Sequence, residues 1–145
     1  MGEILHLFTA FVHRQPLREV AEVEAIGDKG FQGCIHGRAG SKRQLLLMDI
    51  ETLIAMAIAP GQVKENITTQ GLKVQELTQG QRLRVGEALL EVTGACGPCH
   101  LMNEIRPGLE QELKGQRGTL CRVLQGGKVR QGDRMEVLEE AVAPI

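Results

Sequence analysis

Glycine recurs along the whole chain and divides its apolar residues into short segments. The 145 residues include 18 glycines, whereas aromatic residues amount to only 2%. Because glycine is the usual residue of tight turns and weakens helices and strands, this distribution predicts many short elements rather than a helical bundle. A chain of this length fits a single domain, residues 1–145, with a sizeable core.

Short segments with the two-residue alternation of β-strands occur throughout the chain. The clearest is 88–94, where Ala88, Leu90 and Val92 form one apolar face. Further strand candidates are 3–9, 19–26, 45–48, 65–69, 82–85 and 119–139, the last with a hairpin turn expected at Gly126-Gly127 and another strand after Gly132-Asp133. Together these strands and a few helices predict a mainly β protein, a mixed and mostly antiparallel β-barrel.

Two helical segments are predicted between the strands. Asp49 is a candidate N-cap for the first helix, which Pro60-Gly61 would end. The apolar face of this helix would comprise Ile50, Leu53, Ile54 and Ala57. The second helix would follow Cys99, be interrupted at Pro107-Gly108 and resume through Leu113.

Charge and hydropathy exclude several classes of partner. A net charge of −1 gives no field that attracts nucleic acid or an anionic membrane, and the absence of Trp and Tyr removes the usual base-stacking platforms. The segment 1–16 contains Glu3, His6 and His13 without a basic region, so it is a poor signal peptide. Because the apolar runs fall short of the ~18 residues of a membrane span, we expect a cytoplasmic protein with no nucleic-acid or membrane partner.

The segment Cys96-Gly97-Pro98-Cys99-His100 is the richest in reactive side chains and has four interpretations. A C-x-x-C pair is typical of thioredoxin-like dithiols, although the strands predicted after it do not continue the βαβ unit of such proteins. C-x-x-C-H is also a c-type haem attachment signature, which would require export. Zinc would be bound if this cluster joined Cys34 and His36. In the fourth interpretation one cysteine acts alone, as a thiolate ligand or nucleophile, and Cys121 is a small buried residue.

The segment 29–48 is basic and rich in glycine. It contains Lys29, Arg38, Lys42 and Arg43 but no acidic residue. Exposed backbone N–H groups beside cationic side chains are typical of a phosphate cradle, although a solvated basic loop has the same composition. A thiolate together with such a cradle favours a cofactor that has both a soft metal and an anionic tail.

Four segments, in this order along the chain, resemble the MOSC domain, which is named for the C-terminal domain of molybdenum cofactor sulfurase. The resemblance extends from about residue 19 to residue 138. The matching segments are 30–44, with Gly30, Gly33, His36, Arg43 and Gln44; 63–72, with Glu65 and Asn66; 83–99, which ends at a Pro-Cys; and 117–137, with Arg117-Gly118 and Gly126-Gly127. In this alignment Cys99 falls on the functional cysteine of the family.

The resemblance implies a β-barrel that binds molybdenum cofactor or carries sulfur for metal–sulfur chemistry. Cys99 would be the catalytic residue, as the molybdenum ligand or the persulfide carrier, with Pro98 restricting the backbone before it. Cys96 would be a packed neighbour. The other cofactor-binding residues would be His36, Arg38, Lys42, Arg43, Glu65, Asn66 and Arg117, in which the cations of the basic segment hold the pterin phosphate.

The chain departs from the family pattern at one position, Cys34, and in being a minimal domain. Cys34 stands where the family usually has Asp, which places a further thiol near the site. No pyridoxal phosphate site is expected, so sulfur would come from a separate cysteine desulfurase. Other expected partners are an electron-donor protein or a molybdenum enzyme that accepts the cofactor. The alternative functions are a molybdenum-dependent reductase of N-hydroxylated compounds and a zinc-stabilised module without catalytic activity.

Overall fold

The computed structural model of the protein describes residues 2–12, 15–97 and 99–138. The strands in these ranges are β1 (Gly2–Thr9), β2 (Arg18–Val20), β3 (Glu22–Ile26), β4 (Gly30–Phe31), β5 (Leu45–Asp49), β6 (Ile67–Gln70), β7 (Arg82–Val85), β8 (Ala88–Ala95), β9 (Thr119–Gln125), β10 (Gly127–Arg130) and β11 (Arg134–Val137). The helices are α1 (Ile50–Ala55), α2 (Leu109–Glu112) and two 3₁₀ helices, Val74–Glu76 and His100–Glu104. In the same ranges no helix has the length and apolar character needed to cross a membrane.

Seven strands form a mixed β-barrel that is closed by hydrogen bonds. Around the barrel the order is β11-β7-β8-β9-β5-β6-β1, and β1 pairs in turn with β11, while β2 extends the sheet beyond β1. The neighbours β5 and β6 are parallel, whereas the other pairs of described strands are antiparallel. A smaller sheet has the order β10-β3-β4. The predicted mainly β fold, a mixed and mostly antiparallel barrel, is confirmed.

The barrel interior is filled by the inward side chains of its strands. In β8, Ala88, Leu90 and Val92 are buried and the residues between them are half-buried, as the alternation predicts. Burying each large aliphatic side chain contributes about 1.5–3 kcal/mol. A second apolar cluster lies where both α-helices pack with the 3₁₀ helix His100–Glu104, and it comprises Met48, Leu53, Ile58, Val63, Met102, Leu109 and Leu113. This cluster fixes the segment that follows Cys99.

The first helix is shorter than the sequence predicts. Asp49 is its N-cap as expected, with the carboxylate accepting a hydrogen bond from the Thr52 N–H at 3.0 Å. The helix ends at Ala55, however, and Ala57 takes a positive φ of 56° that a helix cannot continue. The predicted apolar face is therefore wrong, since Ile54 is 72% exposed and Leu53 is the buried residue of α1.

The hairpin predicted at Gly126-Gly127 is also wrong. β10 pairs with β3, whereas β9 pairs with β8 and β5. A Cβ atom on Gly126 would lie 2.6 Å from the Ala25 carbonyl oxygen, and one on Gly127 would lie 2.5 Å from the Glu87 carbonyl oxygen. The two glycines therefore allow the chain to pass close to other backbone segments. A sequence pattern cannot distinguish this use of glycine from its use in a turn.

Asn66, directly before β6, connects two strands of the barrel. Its Oδ1 accepts a hydrogen bond from the Leu46 N–H at 3.0 Å, and its Nδ2 donates to the Phe8 carbonyl at 3.2 Å. The backbone of Asn66 also donates to the Leu46 carbonyl at 2.8 Å. With only 4% of its surface exposed, Asn66 uses its amide to hold β5 and β1 beside β6.

Glu65 is a fully buried carboxyl group. Its Oε2 accepts a hydrogen bond from the Thr68 hydroxyl at 2.8 Å, whereas its Oε1 has no partner among the described residues. Burial raises the pKa of Glu65 above its usual range, and hydrogen bonds and the charge of Arg117 oppose that rise. The protonated form is therefore favoured more in the folded protein than in the unfolded chain.

We expect Asn66→Ala to lower the free energy of unfolding by about 3 kcal/mol, because two buried backbone groups lose a partner. Urea denaturation with a constant m value measures the change. Asn103→Ala is the matched control, since Asn103 makes its hydrogen bonds to Glu110 at the exposed surface. The control is expected to lose less than about 1 kcal/mol. Equal losses in the two variants would contradict the structural role of Asn66.

We expect Glu65→Gln to become more stable relative to the wild type as the pH rises. In the unfolded chain a glutamate ionises at about pH 4.3. Because the pKa of Glu65 is higher in the folded state, the free energy of unfolding of the wild type falls as the pH rises from the unfolded pKa through the folded pKa. Glutamine does not titrate, so this loss is absent from the variant. Urea denaturation of both proteins between about pH 4 and pH 8 tests the prediction. A difference in stability that stays constant or shrinks with rising pH would contradict it.

Candidate functional site

A cavity of about 420 Å³ lies beside the ends of the barrel strands β5, β8 and β9. Its wall includes apolar side chains of β5 and β9 together with a set of polar residues from separate parts of the chain. The cationic and thiol-bearing members of that set, with one histidine, are His36, Arg38, Arg43, Lys64, Cys96 and Arg117. Such a lining favours an anionic ligand.

The pairing of β8 with β9 brings Cys96 close to Arg117. In this antiparallel pair Ala95 lies opposite Thr119, so the residue after β8 meets the residues before β9. The Cys96 N–H donates a hydrogen bond to the Gly118 carbonyl at 2.9 Å. Gly118 has a φ of 110°, and a Cβ atom there would lie 2.5 Å from the Leu47 carbonyl oxygen. Glycine is therefore required where β9 starts against β5.

Arg117 is a buried cation without a full set of partners. Its side chain is 6% exposed, and Nε and Nη1 donate no hydrogen bond to any described residue. Burial lowers the pKa of the guanidinium group, whereas Cys96, Glu65 and Cys99 act in the opposite direction. Because an unpaired buried donor costs about 1–3 kcal/mol, an anion bound beside Arg117 would be strongly favoured.

The basic segment is held over the cavity by Gln44. This side chain is buried, and its Oε1 accepts a hydrogen bond from the Val123 N–H at 2.9 Å. Its Nε2 donates to the Arg38 carbonyl and to Asp28 Oδ1, each at 3.2 Å. One amide thus connects the basic segment to β9 and holds its backbone at Arg38.

Arg43 and Lys64 add two further cationic side chains to the wall of the cavity, which we call the positive wall. The Arg43 Nη2 atom lies 3.9 Å from the Cys96 Sγ. Lys64 has a positive φ of 65°, which is uncommon for a residue other than glycine. Sequence reasoning missed Lys64, although its place directly before Glu65 and Asn66 was a usable signal.

Lys42 lies beside a different cavity, of about 380 Å³, whose lining includes Glu91, Thr93 and Arg122. Its carbonyl oxygen accepts a hydrogen bond from the Thr93 hydroxyl. The neighbouring residues Ser41 and Arg43 line the first cavity. The structure therefore separates Lys42 from Arg43, which the sequence prediction had placed together.

Cys99 is half-buried and begins the 3₁₀ helix His100–Glu104. Its Sγ accepts a hydrogen bond from the Leu101 N–H at 3.5 Å. It lies three residues after Cys96, which lines the cavity. Pro98, predicted to restrict the approach to Cys99, lies outside the described residues.

The remaining predicted residues lie at different depths. His36 is exposed at the edge of the cavity, whereas Asn66 directs its amide to backbone groups of the barrel. Cys34 is buried, and its Sγ accepts a hydrogen bond from the Ala10 N–H at 3.5 Å. Cys121 is buried in the barrel as expected, and burial raises the pKa of its thiol.

A metal site built from protein ligands alone is not found in the described ranges. No group of three or more His, Cys, Asp or Glu side chains there has the arrangement needed to hold a metal ion. The clusters proposed from the sequence for zinc, Cys34 with His36 and Cys96 with Cys99 and His100, do not form such a group. The structure therefore gives no support to the zinc-stabilised alternative.

Comparison with known proteins identifies relatives of this fold. The solved structure of the YuaD protein from Bacillus subtilis has a TM-score of 0.81 and 20% identity, and covers 94% of this chain and 96% of its own. YiiM from Geobacillus stearothermophilus has a TM-score of 0.78 and 20% identity, with coverage of 99% and 78%. YiiM from Escherichia coli has a TM-score of 0.74 and 24% identity, with coverage of 96% and 70%. No curated protein matches the sequence.

A family model gives the assignment that such low identities cannot give. The model of the MOSC domain matches residues 41–136, which is more than half of the chain. The match includes Arg43, Lys64, Cys96, Cys99 and Arg117, and the shared barrel agrees with it. The chain therefore belongs to the MOSC domain family.

Proposed function

We propose that this MOSC domain binds molybdenum cofactor, or a sulfur species destined for it, in the cavity beside Arg117. Cys99 would serve as the metal ligand or as the carrier of sulfur. The observation that supports this proposal most strongly is the Arg117 guanidinium group, buried in the cavity wall with two nitrogen atoms that have no partner among the described residues.

The cations of the cavity fit the anionic part of such a cofactor. Arg38, Arg43 and Lys64 share the wall with Arg117, although the chain as a whole has a net charge of −1. Charge-assisted hydrogen bonds to phosphate oxygens are about twice as strong as neutral ones, and arginine binds such groups through two donors at once. The local positive charge therefore supports an anion site.

The thiols of Cys96 and Cys99 fit the metal of such a cofactor, or the sulfur destined for it. Cys96 lines the cavity together with Arg117, and Cys99 follows three residues later at the start of the 3₁₀ helix His100–Glu104. The thiolate form of cysteine binds soft metals and carries sulfur. When bound, the cofactor would supply a metal centre capable of two-electron chemistry. The protein would contribute the thiolate, the positive wall and the partial exclusion of water.

In the carrier form of this function the domain acts with other proteins. A cysteine desulfurase would supply sulfur, or a molybdenum enzyme would receive the loaded cofactor. In the reductase form an electron-donor protein would be needed.

We expect Arg43→Ala to lower the molybdenum and pterin content of protein purified from a molybdenum-replete host. The loss of one charge-assisted contact weakens binding by about tenfold or more. Lys42→Ala is the matched control, since Lys42 lies one residue away but beside another cavity. Elemental analysis and pterin oxidation measure the content. Equal retention by the two variants would contradict the placement of the anion site.

We expect Cys99→Ser to abolish molybdenum loading while the melting temperature stays close to that of the wild type. Serine provides a harder oxygen donor and no sulfur, and Cys99 is only half-buried, so little packing is lost. Molybdenum loading that persists in Cys99→Ser would contradict its role as the ligand.

A further inference from the structure

We infer that Cys96 and Arg117 form a sulfur-transfer site that accepts sulfur from a small anion of the thiosulfonate class, of which thiosulfate is the simplest member. Such an anion carries a transferable sulfur atom on a sulfonyl group. This inference deepens the proposed function and rests on its sulfur-carrier part, because it names the kind of donor that the cavity would take.

Cys96 has a fixed position in the wall of the cavity. Its side chain is 6% exposed, and its backbone N–H is bonded to the Gly118 carbonyl at 2.9 Å. The Sγ atom lies 3.9 Å from the Arg43 Nη2. The thiol is therefore held beside a cation in a site that admits small molecules.

The second observation is independent of this thiol and indicates an anion. Arg117 is more than nine-tenths buried and lines the same cavity, and its Nε and Nη1 donors have no partner in the part of the chain that the structure describes. An oxyanion bound by Arg117 and Arg43 would lie next to the Cys96 Sγ. A ligand that satisfies the guanidinium and also offers an electrophilic sulfur atom would engage the cations and the thiol at the same time.

The proposed step balances without an external oxidant or reductant. The Cys96 thiolate attacks the terminal sulfur of thiosulfate and forms a new S–S bond. The S–S bond of the donor breaks, and its electron pair leaves with sulfite. The products are a Cys96 persulfide anion and sulfite, and the total charge is unchanged. Arg117 and Arg43 stabilise the charge on the departing sulfite.

Cys99 is the acceptor for the next step. Its thiolate attacks the outer sulfur of the persulfide, the bond to the Cys96 sulfur breaks, and Cys96 returns to the thiolate form. Cys99 lies three residues after Cys96 and is more exposed, so it can present the sulfur to a partner. Cys96 would thus receive the sulfur and Cys99 would deliver it.

The test uses cofactor-free protein incubated with thiosulfate. Intact-protein mass spectrometry detects the added sulfur atom, peptide mapping locates it, and a sulfite assay follows its release. We expect stoichiometric sulfite release and a persulfide in the wild type. Sulfite release is expected to be lost in Cys96→Ser, whereas peptide mapping of Cys99→Ser is expected to find the persulfide on Cys96.

Substitution of the arginine tests the anion site separately. Arg117→Lys retains a cation but loses the planar pair of donors, and is expected to slow sulfite release by about tenfold. Arg84→Ala, on the exposed surface of β7, is the control and is expected to match the wild type. Melting temperatures identify any variant that is unfolded, and Arg43→Ala then provides a second variant of the anion site.

The outcomes separate this inference from the cofactor proposal. No sulfite release by the wild type, or undiminished release by Cys96→Ser, would overturn the inference even if the protein binds molybdenum. Conversely, sulfur transfer at Cys96 by a protein that never acquires molybdenum or pterin would support the inference and refute cofactor binding.

Discussion

The burial of the Arg117 guanidinium at the junction of β8 and β9 determines the chemistry of the cavity. A buried cation whose Nε and Nη1 atoms have no partner among the described residues is costly, and neighbouring groups offset this cost only in part. An anion from solution would offset the rest. The same burial makes the site selective, because only a group that enters the cavity can reach the guanidinium.

The surrounding fold serves to hold this arrangement in place. The hydrogen bond from Cys96 to Gly118 fixes the two strand ends, and Gly118 allows β9 to start close against β5. The Gln44 side chain connects the basic segment to β9 through the hydrogen bond that it accepts from the Val123 N–H. Since these contacts come from segments far apart in sequence, the site exists only when the barrel is closed.

The sequence predicted the barrel well because strand alternation is a local property. The alternation of β8, the Asp49 cap and the short glycine-bounded segments were all readable from neighbouring residues. The extent of α1 was not readable in this way, because it depends on Ala57 taking a positive φ. The partner of β10 was not readable either, because it depends on close backbone approaches at Gly126-Gly127.

The site was predictable mainly through resemblance to a family, and its details were not. Lys42 and Arg43 are adjacent cations that look equivalent in the sequence, yet they line different cavities. Cys96 was expected to be a packed neighbour, and it is buried, but it also lines the cavity, where the register of β8 against β9 shifts between Val92 and Gly94. Such an irregularity changes which face the following residues occupy, so the cavity position of Cys96 depends on tertiary pairing.

The most direct test of the account is whether an oxyanion binds at Arg117. Phosphate stabilises most proteins by exclusion from their surface, so the informative quantity is the difference between the wild type and Arg117→Met, a substitution that removes the cation but keeps an apolar side chain of comparable length. The melting temperature of each protein is measured across a phosphate titration at constant ionic strength. An oxyanion site at Arg117 would give a saturable rise in the wild type beyond that of Arg117→Met. Parallel titration curves for the two proteins would contradict it.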